Sequence, residues 1–277
     1  MRLSPRIIIA VVVALLAAVS YYSSRSTNEV TGEVQHVSIS PDQEAALGLQ
    51  AVPDMTQQFG GELDHPMNDY VESVGQRVVR QSDAASGPYK YDFHLLADPE
   101  TINAFALPGG QVFITLGLLR KLTSEAELAG VLGHEVGHVV GRHGAEHLAK
   151  QQLTAGLVGA VGVATYDPEN PAASQQRAAM AAAVAQMVNM KYGRADELES
   201  DALGVRFMSA AGYDARGMIR LMQVLAEGAG SRQPEFFSTH PNPENRMERL
   251  QALISENQAG GDLGEERFRD AVLRHMR

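Results

Sequence analysis

The sequence predicts an α+β fold that is mainly α. Three observations carry this. Apolar residues recur at three- and four-residue spacing in several long stretches, strict alternation is confined to short ones, and no repeat of solenoid period is present. The chain has 277 residues, 44% hydrophobic and 20% charged, enough for one sizeable domain with a real core and ordinary for a globular protein.

Arg2 and Arg6 precede an apolar run from Ile7 to Val19, and no charge falls between Arg6 and Arg25. A basic start followed by an apolar core is the pattern of a secretory signal, with Ala18-Val19-Ser20 as a small-residue cleavage site. The uncharged stretch also just reaches the roughly 20 residues that a membrane span needs. Residues 1–25 are therefore expected to be a signal peptide or an N-terminal membrane anchor, and both readings stay open. Either one exports the rest of the chain, to the periplasm or to the periplasmic face of an inner membrane, because the positive residues stay inside.

Residues 26–39 are polar and read as a linker. Ser40-Pro41-Asp42-Gln43 offers a serine cap, a proline at the first helical position and a glutamine at the third, so a helix is expected through Leu49. Pro66 opens a second helix, whose Tyr70, Val71, Val74, Val78 and Val79 form an apolar stripe. Alternation of Tyr89, Tyr91, Phe93 and Leu95 with polar residues predicts a half-buried strand. Pro108-Gly109-Gly110 reads as a turn and 111–116 as the next strand.

Ser124-Glu125-Ala126-Glu127 is a capping box that opens an amphipathic helix with Leu128, Val131 and Leu132 on its core side. The apolar run Leu153–Tyr166 is too short to span a bilayer. Residues 167–171 read as a break, 175–189 as an alanine-rich helix and 195–211 as another. A last helix is expected near Asn242-Pro243-Glu244, within a domain covering 40–256, and 257–277 as a polar tail or helix.

Composition excludes some functions. A net charge of −10 makes nucleic acid a poor partner. With no cysteine, a disulfide framework, a thiolate metal site and a cysteine nucleophile are all excluded, so any metal must be held by His, Asp or Glu.

The chemistry concentrates in His134-Glu135-Val136-Gly137-His138. On a helix, residues four apart share a face, so His134 and His138 present two imidazoles to one point, and Glu135 can act as general base on a water beside the metal. Gly133 and Gly137 would let another backbone approach closely. A catalytic zinc usually has three protein ligands. The best source of the third is Glu197-Leu198-Glu199-Ser200-Asp201, where Glu197 and Asp201 share a face. Glu197 would ligate, Asp201 would accept the N–H of a ligating histidine, and Glu199 would face solvent. His143-Gly144-Ala145-Glu146-His147 is an inverted competing pair, and on a continued helix His143 would point about 180° away from His134.

The stretch Ser124–His138, followed by Gly141-Arg142-His143 and the downstream Glu197/Asp201 pair, resembles the prenyl-protease and heat-shock-protease family of gluzincins. It is most similar to the branch of periplasmic quality-control and mitochondrial stress proteases. The resemblance implies a zincin-like fold with a small sheet packed on the active-site helix. It also implies one zinc per chain, Glu197 as third ligand, and protein or peptide substrates. Asn103-Ala104-Phe105 resembles the family's edge strand, to which an extended substrate adds. Ser238-Thr239-His240-Pro241 and Arg246 resemble a late motif. There the histidine is a latency switch or transition-state donor, and the arginine an oxyanion or structural partner. The expected function is a zinc metalloendopeptidase acting on extended or misfolded proteins in envelope quality control. The alternative is a zinc-stabilised, chaperone-like or latent binding module. The oligomeric state is left open.

Overall fold

A computed structural model describes residues 4–166, 171–172, 174–175, 192–227, 235–240, 245–256 and 260–276. The chain divides into two compact units. The expected break at 167–171 and the alanine-rich helix at 175–189 lie almost wholly outside the described residues.

The first unit comprises residues 1–28, 32–40 and 144–191. Its first helix, α1 (Pro5–Ser23), starts at Ser4, whose side chain accepts the Ile7 N–H, with Pro5 at the first helical position. It is long and apolar enough to cross a membrane, by length and composition. Where the sequence suggested a linker, β1 (Arg25–Thr27) and β2 (Val34–His36) pair antiparallel. Polar strands gave no alternating signal. The unit also contains nearly all of α6 (His143–Thr165).

The second unit holds residues 29–31, 41–143 and 192–277. Helix α2 (Pro41–Gln58) runs past Leu49, because Val52 and Met55 still pack against Phe59, Leu96 and Phe113. Helix α3 (Pro66–Arg80) buries Val71, Val74, Val78 and Val79, as its stripe requires. Strands β3 (Asp92–Leu96), β4 (Ala104–Leu107) and β5 (Gln111–Thr115) form one sheet in the order β3-β5-β4. β3 runs parallel to β5, and β4 antiparallel. The turn before β5 needs glycine, since Gly109 and Gly110 have φ of 86° and 109°.

After the short helix α4 (Leu116–Leu119) comes α5 (Glu125–Val140), with the histidine motif. The expected amphipathic face is not what forms, since all sixteen residues of α5 are buried. The helix sits at the centre of the unit, against the sheet, α3, α7 (Arg194–Ala210) and α8 (Arg216–Glu227). A helix packed on every side in this way forms the core of its unit rather than a surface layer. Ser124 accepts the Glu127 N–H at 3.2 Å, but the Glu127 carboxylate takes the N–H and hydroxyl of Thr123 instead of closing the box on Ser124. The unit is completed by the turn α9 (Phe236–Thr239), by α10 (Arg246–Glu256) and by α11 (Glu265–Ala271). The last long helix thus begins at Arg246, and residues 241–244 are not described. Within the C-terminal segment, Phe268 and Val272 are fully buried and Arg267 bonds Glu125 at the start of α5.

Candidate metal centre

Helices α5 and α7 meet backbone to backbone. A Cβ on Gly137 would stand 3.0 Å from the Cα and carbonyl of Ser200, and one on Gly133 would stand 3.2 Å from the Gly204 carbonyl. Glycine at these positions lets α7 come close without a tight side-chain contact, and so present Glu197 and Asp201 to the histidines. Asp196 helps to start α7 by accepting the Gly193 N–H at 2.8 Å.

Ring or carboxylate atoms of His134, His138, Glu197 and His240 all lie within 4.8 Å of one another, and all four residues are buried. His134 Nε2 is 3.2 Å from His138 Nε2 and 3.4 Å from His240 Nδ1. Glu197 Oε1 is 3.4 Å from His138 Nε2 and 3.0 Å from His240 Nδ1, while its Oε2 is 3.6 Å from His134 Nε2. Four donors around one ion at about 2.0–2.2 Å stand roughly 3.3–3.6 Å apart in a tetrahedron. The spacings and the nitrogen and oxygen chemistry of this set therefore fit zinc. Burial pushes His138 well below the usual histidine range, so its ring is neutral, the form in which a histidine ligates. Burial opposes ionisation of Glu197, yet hydrogen bonds with His138 and His240 outweigh it and hold the carboxyl far below its usual range.

Each motif histidine has a partner on its far nitrogen. His134 Nδ1 lies 3.0 Å from Asp201 Oδ1, and Asp201 is gripped by Arg246 through two bonds of 2.7 Å. Arg246, only 2% exposed, also stands 3.2 Å from Glu197. His138 Nδ1 lies 2.9 Å from His143 Nδ1. The expectation that His143 would point away fails because the helix does not continue. Arg142 takes a left-handed φ of 56° and pairs with Glu44, so the chain turns and His143 starts α6 facing back to His138. His143 is thereby buried beside His138, while Glu146 is bonded to the His36 N–H and Lys150. Glu199 was expected in solvent. It is instead part-buried, with Oε2 3.3 Å from His143 Nε2.

Glu135 is fully buried and neither of its oxygens meets a hydrogen-bond donor among the described residues. Burial raises its pKa above the usual carboxylate range. His240 Nε2 stands 3.7 Å from Glu135 Oε1. The turn carrying His240 is fixed by the Phe236 N–H, which donates to the Ile102 carbonyl just before β4, and by the stacking of Phe236 on His240 at 4.4 Å.

The segment 103–105 lies on the sheet edge, where β4 packs against α5. Asn103 turns its backbone toward β5, accepting the Thr115 N–H at 3.0 Å. With the β4–β5 register this fixes the alternation, so Phe105 also bonds inward while Ala104 and Ala106 direct their N–H and C=O outward. The opposite edge, at β3, is met by 61–63 through the Leu63–Leu95 and Ala97–Gly61 bonds.

Two contacts escaped the sequence. Tyr192 stacks on His138 at 4.0 Å, and His143 links His138 to Glu199. A lone tyrosine before an acidic helix carries no signal of this kind.

Two histidines one turn apart, an acid beside them and a carboxylate brought in on a second helix define a zincin-type metallopeptidase centre. The sequence model of a family described as Peptidase family M48 matches residues 66–254. The chain belongs to that family, whose metallopeptidases use zinc. It is 32% identical over 213 residues to the beta-barrel assembly-enhancing protease of Yersinia pestis, covering 76% of this chain and 43% of that protein. It is 29% identical over 256 residues to the mitochondrial metalloendopeptidase OMA1 of Schizosaccharomyces pombe, covering 88% and 72%. To the mitochondrial metalloendopeptidase OMA1 of Bos taurus it is 32% identical over 169 residues, covering 59% and 32%. The chain spans about two fifths of the length of the beta-barrel assembly-enhancing proteases it matches.

Proposed function

We propose that this chain is a zinc-dependent metalloendopeptidase that hydrolyses peptide bonds in extended or misfolded proteins of a bacterial envelope. The observation that carries this is the buried group His134, His138, Glu197 and His240, with the Glu135 carboxylate beside it meeting no hydrogen-bond donor among the described residues. His134, His138 and Glu197 would hold the metal. A zinc ion there would supply Lewis acidity toward a water and the scissile carbonyl. Glu135 takes the proton of the attacking water and delivers it to the leaving amine, a role suited to a carboxylate whose affinity for protons burial has raised. Asp201 fixes the ring of His134. Because Arg246 is forked onto Asp201, we read it as a positioning residue rather than an oxyanion donor. An extended substrate would add to β4 through the outward groups of Ala104 and Ala106, with Asn103 and Phe105 setting the strand.

The place of His240 supports the reading of a latent form. Its Nδ1 stands within the donor set, where it would occupy the position that a reacting water and carbonyl need. His240 would leave that position for catalysis and then serve as a donor to the transition state. A chain permanently in the closed arrangement would be the zinc-stabilised binding module.

Export of the catalytic unit, through or from a membrane by way of α1, completes the proposal, with the periplasm as its site of action. The test is cleavage of an unfolded casein-type substrate by the full chain. Glu135→Gln is expected to lower turnover by about 100-fold or more while zinc stays bound. Undiminished cleavage by that variant contradicts the mechanism. No cleavage by wild type, together with suppression of aggregation, favours the binding module.

A further inference from the structure

We propose that α1 and α6 form one membrane-inserted helix pair, in which the face of α6 bearing Leu157 and Val161 lies against lipid acyl chains. The inference rests on α1 being retained as a membrane helix and is independent of the peptidase chemistry.

Within their unit the two helices pack small side in and large side out. On α1, Ala10 is 6% exposed, while Leu15, Leu16 and Val19 are 59%, 64% and 63% exposed. On α6, Gly156 meets α1 so closely that a Cβ there would stand 2.5 Å from the Ala17 Cβ. Ala160, one turn on and on the same side, is 6% exposed, whereas Leu157 and Val161 are 42% and 47% exposed. Helices associating in water bury their large apolar residues. Helices associating in lipid meet through small residues and leave the large ones to the acyl chains.

The pair is also aligned as a bilayer requires. Arg6 Nη1, at the start of α1, donates to the carbonyl of Tyr166, at the end of α6, at 3.1 Å. At the other end Tyr21 and Ser24 line one small cavity with Ala149, Gln152 and Leu153. The helices are therefore antiparallel and side by side, with Leu157 level with Leu16 and Val161 level with Val12. Their uncharged stretches coincide, for no Asp, Glu, Lys or Arg occurs between Arg6 and Arg25 or between Lys150 and Asp167. The two threonines of the α6 stretch need no water, since Thr154 and Thr165 give their hydroxyls to the carbonyls of Lys150 and Val161. The run Leu153–Tyr166 extends only about 21 Å and could not cross alone, but beside α1 it reaches most of the same depth.

The occupant is lipid rather than a protein groove. The exposed apolar surface wraps around α1 and continues onto α6, and it ends at basic residues, Arg6 at one level and Arg25 and Lys150 at the other.

The natural absence of cysteine makes the test clean. Single variants Val12→Cys, Leu16→Cys, Leu157→Cys and Val161→Cys of the full chain, with Ser73→Cys as an exposed control on α3, are labelled with an environment-sensitive fluorophore. They are then reconstituted into phosphatidylethanolamine–phosphatidylglycerol vesicles carrying spin-labelled acyl chains. The expected result is that Leu157 is quenched as strongly as Leu16, and Val161 as strongly as Val12, with no quenching at Ser73. Quenching at 12 and 16 alone overturns the proposal and leaves α1 as the anchor. In that case, access of a water-soluble maleimide to 157 and 161 marks a solvent face, and its exclusion marks a face covered by protein. Quenching at no site overturns the retained anchor as well.

Discussion

His138 and His143 face each other nitrogen to nitrogen, 2.9 Å apart, so one ring must donate a hydrogen bond to the other. If His138 ligates through Nε2, its Nδ1 carries the hydrogen and His143 accepts it. His143 then bears its own hydrogen on Nε2, toward Glu199 at 3.3 Å. Outer partners of this kind fix the tautomer of a ligand. His143→Ala should weaken zinc binding by about 10- to 100-fold in a chelator competition, and His143→Gln, which keeps an acceptor, should recover part of it. Wild-type affinity in His143→Ala contradicts this assignment.

Arg246 is the counter-charge for two buried carboxylates, Asp201 and Glu197. Its removal leaves a buried charge uncompensated, which costs about 3–5 kcal/mol. Denaturant unfolding of Arg246→Ala without metal should show a loss of this size. Arg246→Lys should recover only part, because an ammonium cannot make the paired bonds. A loss under about 1 kcal/mol would place Arg246 outside the framework of the site.

A Cβ at Gly137 would stand 3.0 Å from the Ser200 backbone, tighter than an ordinary contact between α5 and α7. Gly137→Ala forces the Ser200 backbone outward and should cost about 1–3 kcal/mol. Because that movement carries Glu197 and Asp201, zinc affinity should fall with stability. A thermal melt and a metal titration on the same variant test both.

Glu125 ties the start of α5 to the C-terminal segment. Burial raises its pKa, but hydrogen bonds from Arg267, Tyr70 and Tyr213 and the charge of Arg267 leave it below the ordinary carboxylate value. In the acid range the unfolded chain therefore binds more protons at this position than the folded one, and stability rises with pH. The contribution is complete above about pH 4.5 and is lost as pH falls through the lower folded value. Arg267 is half-exposed, so solvent keeps the contribution modest. Wild type should exceed Glu125→Gln in stability at neutral pH, and the gap should close on acidification. A gap independent of pH contradicts the sign of this shift.

Much of the fold was legible wherever local chemistry and tertiary packing agree. The valine stripe of α3, the Tyr91–Phe93–Leu95 alternation and the proline-glycine turn each state one period, and burial follows it. The sequence also placed the acidic face of α7 and anticipated the close approach at Gly133 and Gly137. The fully buried character of α5 was not legible, because leucine and valine on one side look the same whether or not glycine and alanine on the other are covered. His143 was misplaced for a sharper reason. Spacing arguments assume an unbroken helix, and the break depends on one left-handed residue, Arg142, held by Glu44 almost a hundred positions earlier. A distant partner of that kind leaves no trace in local periodicity.

The central claim is that His134, His138 and Glu197 hold one zinc. Zinc content by mass spectrometry on purified, zinc-replenished wild type and Glu197→Ala tests it most directly. The account expects about one zinc per wild-type chain and a large loss in the variant. Full zinc in Glu197→Ala, or none in the replenished wild type, would contradict it.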